Sequence, residues 1–152
     1  MTPDASHTAG ADPNPAAEFK QCLARARHDL RNPLAHILGF CEMLLEKAVD
    51  REHPLTRVRL QAIYQTADAL VREVNRCLGS EHLVPCRNEA VALKNRLRRE
   101  ATAIIVTAEE LSQRTRDLIP DRFSEDLAII AGAGRKLREL SETALEFLIA
   151  KE

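Results

Sequence analysis

The stretch of this 152-residue chain with the most chemical potential is RHDLRNPLAHILGFCEMLLE, Arg27 to Glu46, which sets His28 beside Asp29 and one helical turn before Asn32. A neutral imidazole nitrogen is nucleophilic near pH 7. A neighbouring carboxylate can hold its tautomer and take up its proton while the ring attacks an electrophile. Asp29 stands in that position by sequence. Asn32 projects on the same helix face as His28, where its amide could orient a water molecule. Pro33 follows at once. A proline inside a helix removes a hydrogen bond and clashes with the preceding turn, at a cost of roughly 3 kcal/mol, so a local kink or loosened backbone is expected just after the histidine. Taken one by one, these residues would be ordinary solvated positions on a charged helix. The stretch as a whole decides between the two readings.

The elements that must hold this stretch are helices. Asn14 and Pro15 read as a cap and first helical position. Leu23, Leu30, Ile37 and Leu44 then recur every seven residues, with Leu34, Leu38, Cys41 and Leu45 beside them. This helix runs to about Ala48. His28, two residues before Leu30, lies off the apolar seam and is expected to meet solvent. VDREHP, Val49 to Pro54, breaks the pattern, and Leu60, Ile63, Ala67, Leu70, Val74 and Leu78 make a second helix. Gly79 and Ser80 stop it. Pro85 and Asn88 mark a linker and the cap of a third helix, with Leu97, Ile104, Leu111 and Leu118 on its seam. After a break at Ile119 to Asp121, a fourth carries Leu127, Ile130, Leu137, Leu145 and Leu148.

The second pair of helices repeats the first. Leu30/Leu97, Ile37/Ile104, Leu44/Leu111, Leu60/Leu127, Ile63/Ile130, Leu70/Leu137 and Leu78/Leu145 are each 67 residues apart, without a gap. Shared heptads alone would favour multiples of seven, which 67 is not. The same shift also pairs Arg31 with Arg98, Glu42 with Glu109, and the break at 49–54 with that at 116–121. Two antiparallel hairpins that each expose an apolar face bury both by packing together. The expected fold is therefore all-α, a four-helix bundle built as a single-chain pseudodimer, monomeric rather than homodimeric. Its parts are a disordered tail at 1–13, a first hairpin at 14–80, a linker at 81–88 and a second hairpin at 89–152.

Composition narrows the functions. The chain is 45% hydrophobic and 30% charged with a net charge of -1, which lacks the basic footprint of nucleic-acid or anionic-membrane binding. No apolar run approaches the length of a bilayer span. Cys22, Cys41, Cys77 and Cys86 show no metal-ligand spacing and read as reduced structural thiols of a cytoplasmic protein. His7, His36, His53 and His82 have no second ligand at metal spacing, so neither a metal nor another cofactor is expected. Gly132 and Gly134 form GxG without a preceding strand, a weak phosphate-loop signal, and close helix packing is the expected reason for them.

His28, Asp29, Leu30, Arg31, Asn32, Pro33 and Leu34 match every position of the H-box, and Ile37, Gly39, Phe40 and Leu44 continue its style. The first hairpin thus resembles the dimerisation and phosphoacceptor (HisKA-type) domain of sensor histidine kinases. The resemblance implies that His28 carries a phosphoryl group and exchanges it with the aspartate of a response-regulator receiver domain, or takes it from an upstream kinase. It implies a receiver-phosphatase role for Asn32. The second hairpin departs from the pattern, with Asn95, Arg96, Arg99 and Glu100 at the places of His28, Asp29, Asn32 and Pro33. The family's ATP-binding boxes are absent from the sequence, so autophosphorylation by this chain is not expected, and the chain may equally be cut from a longer protein. Two further readings stand beside phosphotransfer: a non-catalytic interaction or regulatory bundle of a larger signalling enzyme, and a receiver phosphatase.

Overall fold

The computed structural model describes residues 15–49, 54–79, 84–116 and 122–150. The tail and its Asn14 cap, His7, His53, His82, Ser80 and Leu118 to Asp121 lie outside them. Helix α1 spans Pro15–Val49, α2 Pro54–Leu78, α3 Arg87–Thr115, α4 Phe123–Thr143 and the short α5 Glu146–Ile149. The chain is all-α. Helix α1 packs on α2 and α4, α3 packs on the same two, and α5 closes against α3. The four long helices therefore form a bundle in which sequence neighbours are spatial neighbours and α4 returns to α1, as short connections between antiparallel helices favour.

The heptad seam explains the core. Leu30, Leu34, Ile37, Cys41 and Leu44 of α1 are fully buried, as are Leu60, Ala67, Leu70 and Val74 of α2. Both members of each of the seven 67-residue pairs lie in the core. The shift extends further, to Leu23/Ala90, Ala26/Leu93, Leu34/Ala101 and Cys41/Ala108, all buried. Where α1 carries the larger residue of such a pair, α3 often carries alanine, so the two halves share positions rather than volumes. Buried hydroxyls are satisfied locally, Thr115 Oγ1 donating to the Leu111 carbonyl at 2.7 Å and Ser141 Oγ to the Arg138 carbonyl at 2.6 Å.

Three details differ from the sequence reading. The α3 cap is Cys86, not Asn88: its Sγ accepts from Glu89 N at 3.4 Å while Cys86 N donates to Glu89 Oε1 at 3.0 Å. This is a reciprocal capping box, and the glutamate at the third helical position selects the start of the helix. The fourth seam is interrupted at Ala144 and Leu145, beyond which α5 begins, although Leu145 and Leu148 stay buried. Periodicity reports which side chains are buried and does not require an unbroken backbone ladder. Close packing accounts for Gly134, where a Cβ would come within 2.9 Å of Ile105 Cγ1, but a Cβ at Gly132 would meet nothing.

The thiols fall into different environments. Cys41 is buried and Cys86 exposed, and burial pushes the Cys41 thiol up to about 12, with the Glu42 carboxylate adding to the effect. Raised above its unfolded value near 9, this group stabilises the fold fully below pH 9, and that contribution is lost as pH rises towards 12. Iodoacetamide at pH 8 is expected to modify Cys86 within minutes and to leave Cys41 untouched until the bundle unfolds, because the thiolate is the nucleophile. Peptide mass mapping of the native and urea-unfolded protein reads this directly. Among the described residues, no helix is long and apolar enough to cross a membrane.

Candidate phosphoacceptor site

Fully buried Leu30 and Leu34 fix the rotation of α1 and turn the opposite face outward. His28 lies on that face with its side chain 82% exposed. Its Nδ1 is 3.5 Å from Asp29 Oδ1, and Asp29 is itself part-exposed. That separation is long for a hydrogen bond but close enough for the carboxylate to bias which ring nitrogen carries the proton. Nε2 is the remaining nitrogen.

Asn32 opens onto the same surface. A shallow depression of about 400 Å³ is lined by Ala24, Arg27, His28, Arg31, Asn32 and Ala35, all on successive turns of α1. Arg27 and Arg31 thus line the same depression as the imidazole, between the small side chains of Ala24 and Ala35. A phosphoryl group brought into this depression would meet positively charged residues.

Arg27 does more than line the surface. Its Nη1 donates to the Leu78 carbonyl at 2.9 Å, satisfying an orphan acceptor at the end of α2. This contact ties the residue before His28 to the second helix of its own hairpin, and it did not emerge from the sequence.

On the other flank, Asp29 borders a cleft of about 240 Å³ lined by Cys22, Arg25 and Ala26 of α1 and by Leu140 and Thr143 of α4, with Ala144 and Phe147 beyond. The second hairpin therefore supplies one wall next to the H-box. Phe147 also meets Phe19 edge to face, ring centroids 5.6 Å apart. Pro33 is buried, and α1 continues as one helix across it. Its ring thus has a place in the packing, within a helix that is not interrupted there. Gly39, by contrast, is exposed with open space where a Cβ would stand.

The equivalent face of α3 has a different chemistry. Asn95 accepts from Arg98 Nη2 at 3.3 Å, and Arg96 pairs with Glu73 at 3.5 Å. No imidazole stands there. His36, also on α1, is exposed, and among the described residues His28 alone has a carboxylate within ion-pair distance of its ring.

Residues 20–79 match the family model of the His Kinase A (phospho-acceptor) domain. Neither the curated proteins nor the solved structures contain a match to the chain. The matched segment holds α2 and nearly all of α1, with the whole H-box inside it, and it ends before the second hairpin begins. HisKA domains interact with response-regulator receivers. Residues 20–79 are a HisKA phosphoacceptor domain, which implies a two-component histidine phosphotransfer role.

Proposed function

We propose that His28 is the phosphoacceptor and that it exchanges a phosphoryl group with the aspartate of a receiver domain. The observation that carries this is the histidine's placement, outward on α1 with Nδ1 turned to Asp29, inside the matched segment. With the proton held on Nδ1 towards Asp29, the Nε2 lone pair attacks phosphorus. An N–P bond forms, the acyl P–O bond breaks, and the receiver carboxylate leaves with the electron pair. The Nδ1 proton stays shared with Asp29, whose charge offsets the cation that develops on the ring. Arg27 and Arg31 steady the phosphoryl oxygens. The reverse sequence returns the group to the receiver. The second hairpin is a degenerate copy that completes the bundle, giving a monomeric pseudodimer with one working site, acting in the cytoplasm.

The test is direct. Incubation with a phosphorylated receiver is expected to place an acid-labile, base-stable label on this chain, and a chain that stays unlabelled while the receiver keeps its phosphate sinks the proposal. Asn32 on the same depression favours a second reading, in which the site hydrolyses the receiver's aspartyl phosphate. Asn32→Ala separates the two: phosphotransfer predicts label retained within a few-fold, whereas a phosphatase loses receiver dephosphorylation by roughly 10²-fold, the scale of a removed positioning group.

A further inference from the structure

The two seams that join the hairpins carry different charge patterns, although the 67-residue shift makes them equivalent in position. Across α2 and α3, Arg59 pairs with Glu110 at 3.1 Å and Glu73 with Arg96 at 3.5 Å. Across α4 and α1, Asp126 pairs with Lys47 at 3.7 Å, and Leu140 borders the same cleft as Asp29. Under the 67-residue shift, Arg59 corresponds to Asp126, Glu73 to Leu140, Arg96 to Asp29 and Glu110 to Met43. Each of these four positions is therefore replaced in the second seam by an opposite or neutral one, whereas Lys47 keeps the sign of its equivalent, Arg114.

From this we infer that the α2·α3 seam is an address: hairpin one accepts hairpin two of the same chain and refuses hairpin one of a second copy. Suppose two copies paired their first hairpins. Arg59 of one would then face Lys47 and Met43 of the other, and Glu73 would face Asp29. Three attractive contacts would be exchanged for one new kind of like-charge contact, Glu73 against Asp29, occurring twice by symmetry, while Arg59 against Lys47 repeats the sign already set by Arg114. Such juxtapositions suppress a wrong partner more effectively than single surface pairs stabilise a right one. Only seven residues, 79–85, separate α2 from the Cys86 cap of α3, so the correct partner is also held at high local concentration. The consequence rests on the phosphoacceptor reading: each bundle holds one intact histidine, never two.

The full-length chain tests this by light scattering during size-exclusion chromatography. The wild type is expected to keep the mass of one chain over a hundredfold range of concentration. The double variant R59E/E73R opposes Glu110 and Arg96 with like charge and at the same time complements Lys47 and Asp29 of a second copy. It is expected to lower the thermal midpoint and to populate a dimer that grows with concentration. Adding E110R/R96E to that variant is expected to restore the single-chain mass and the midpoint, which a merely damaged fold would not do. A wild-type dimer, a double variant that melts and elutes like the wild type, or a failure of the compensating pair each overturns the inference. Phosphotransfer is measured on the same samples: an unlabelled monomer refutes the phosphoacceptor reading alone, and a labelled wild-type dimer refutes the address and the monomeric pseudodimer while leaving phosphotransfer by His28 standing.

Discussion

His28→Ala is expected to reduce transferable label on the protein to background, a loss of at least about 100-fold, while leaving helicity and thermal midpoint unchanged. Both halves of that expectation come from the same geometry. The imidazole is 82% exposed, so its removal opens no cavity and breaks no core contact, and surface changes of this kind usually stay within about 0.5 kcal/mol. The chemistry, however, has no substitute nearby. His36 lies two turns on without a carboxylate within ion-pair distance, and the equivalent position on α3 is Asn95. Asp29→Asn is expected to keep the ring in place but to slow transfer by roughly 10²-fold, because the proton on Nδ1 is then no longer held by a charge. Label that persists in His28→Ala, quantified under basic conditions where phosphohistidine survives, would move the phosphoacceptor elsewhere.

The outward turn of His28 was legible because it depends only on the angular offset from Leu30, and the seam around Leu30 is strongly periodic. The shared burial of residues 67 apart was legible for a related reason: burial is set by position along a helix. The contacts that end the helices were not. Cys86 caps α3 with a sulfur that sequence rules rank low, and only the spatial return of Glu89 to its backbone N–H identifies it. The bond from Arg27 to the Leu78 carbonyl joins residues 51 apart whose pairing no periodicity encodes. Pro33 was read through its backbone penalty, and its burial depends on α1's rotation against its neighbours. The charge difference between the seams needed both the 67-residue shift and the helix order, since neither alone says which equivalent positions face each other.

The bundle's dependence on its second hairpin leads to the largest expected effect on stability, at Phe123. This residue opens α4 and is one of the largest fully buried side chains, whereas its counterpart 67 positions earlier, Thr56 at the start of α2, is small and polar. One end of the bundle is thus filled from hairpin two by a phenyl ring for which hairpin one has no equivalent. Phe123→Ala removes that ring and leaves a cavity, at a cost of about 3–5 kcal/mol. At the 2–4 °C per kcal/mol usual for a domain of this size, the thermal midpoint should fall by roughly 6–20 °C. Thr56→Ala should cost far less. Phe123 stands near the end of α1 remote from His28, on the order of 30 Å away along the helix at 1.5 Å per residue. Well below the new midpoint, the variant should therefore accept phosphate at the wild-type rate. Circular dichroism melts paired with labelling at 4 °C separate the two effects. A midpoint within about 2 °C of wild type would mean that the ring contributes little packing, and normal stability with lost labelling would mean that the far end of the bundle acts on His28 through the length of α1.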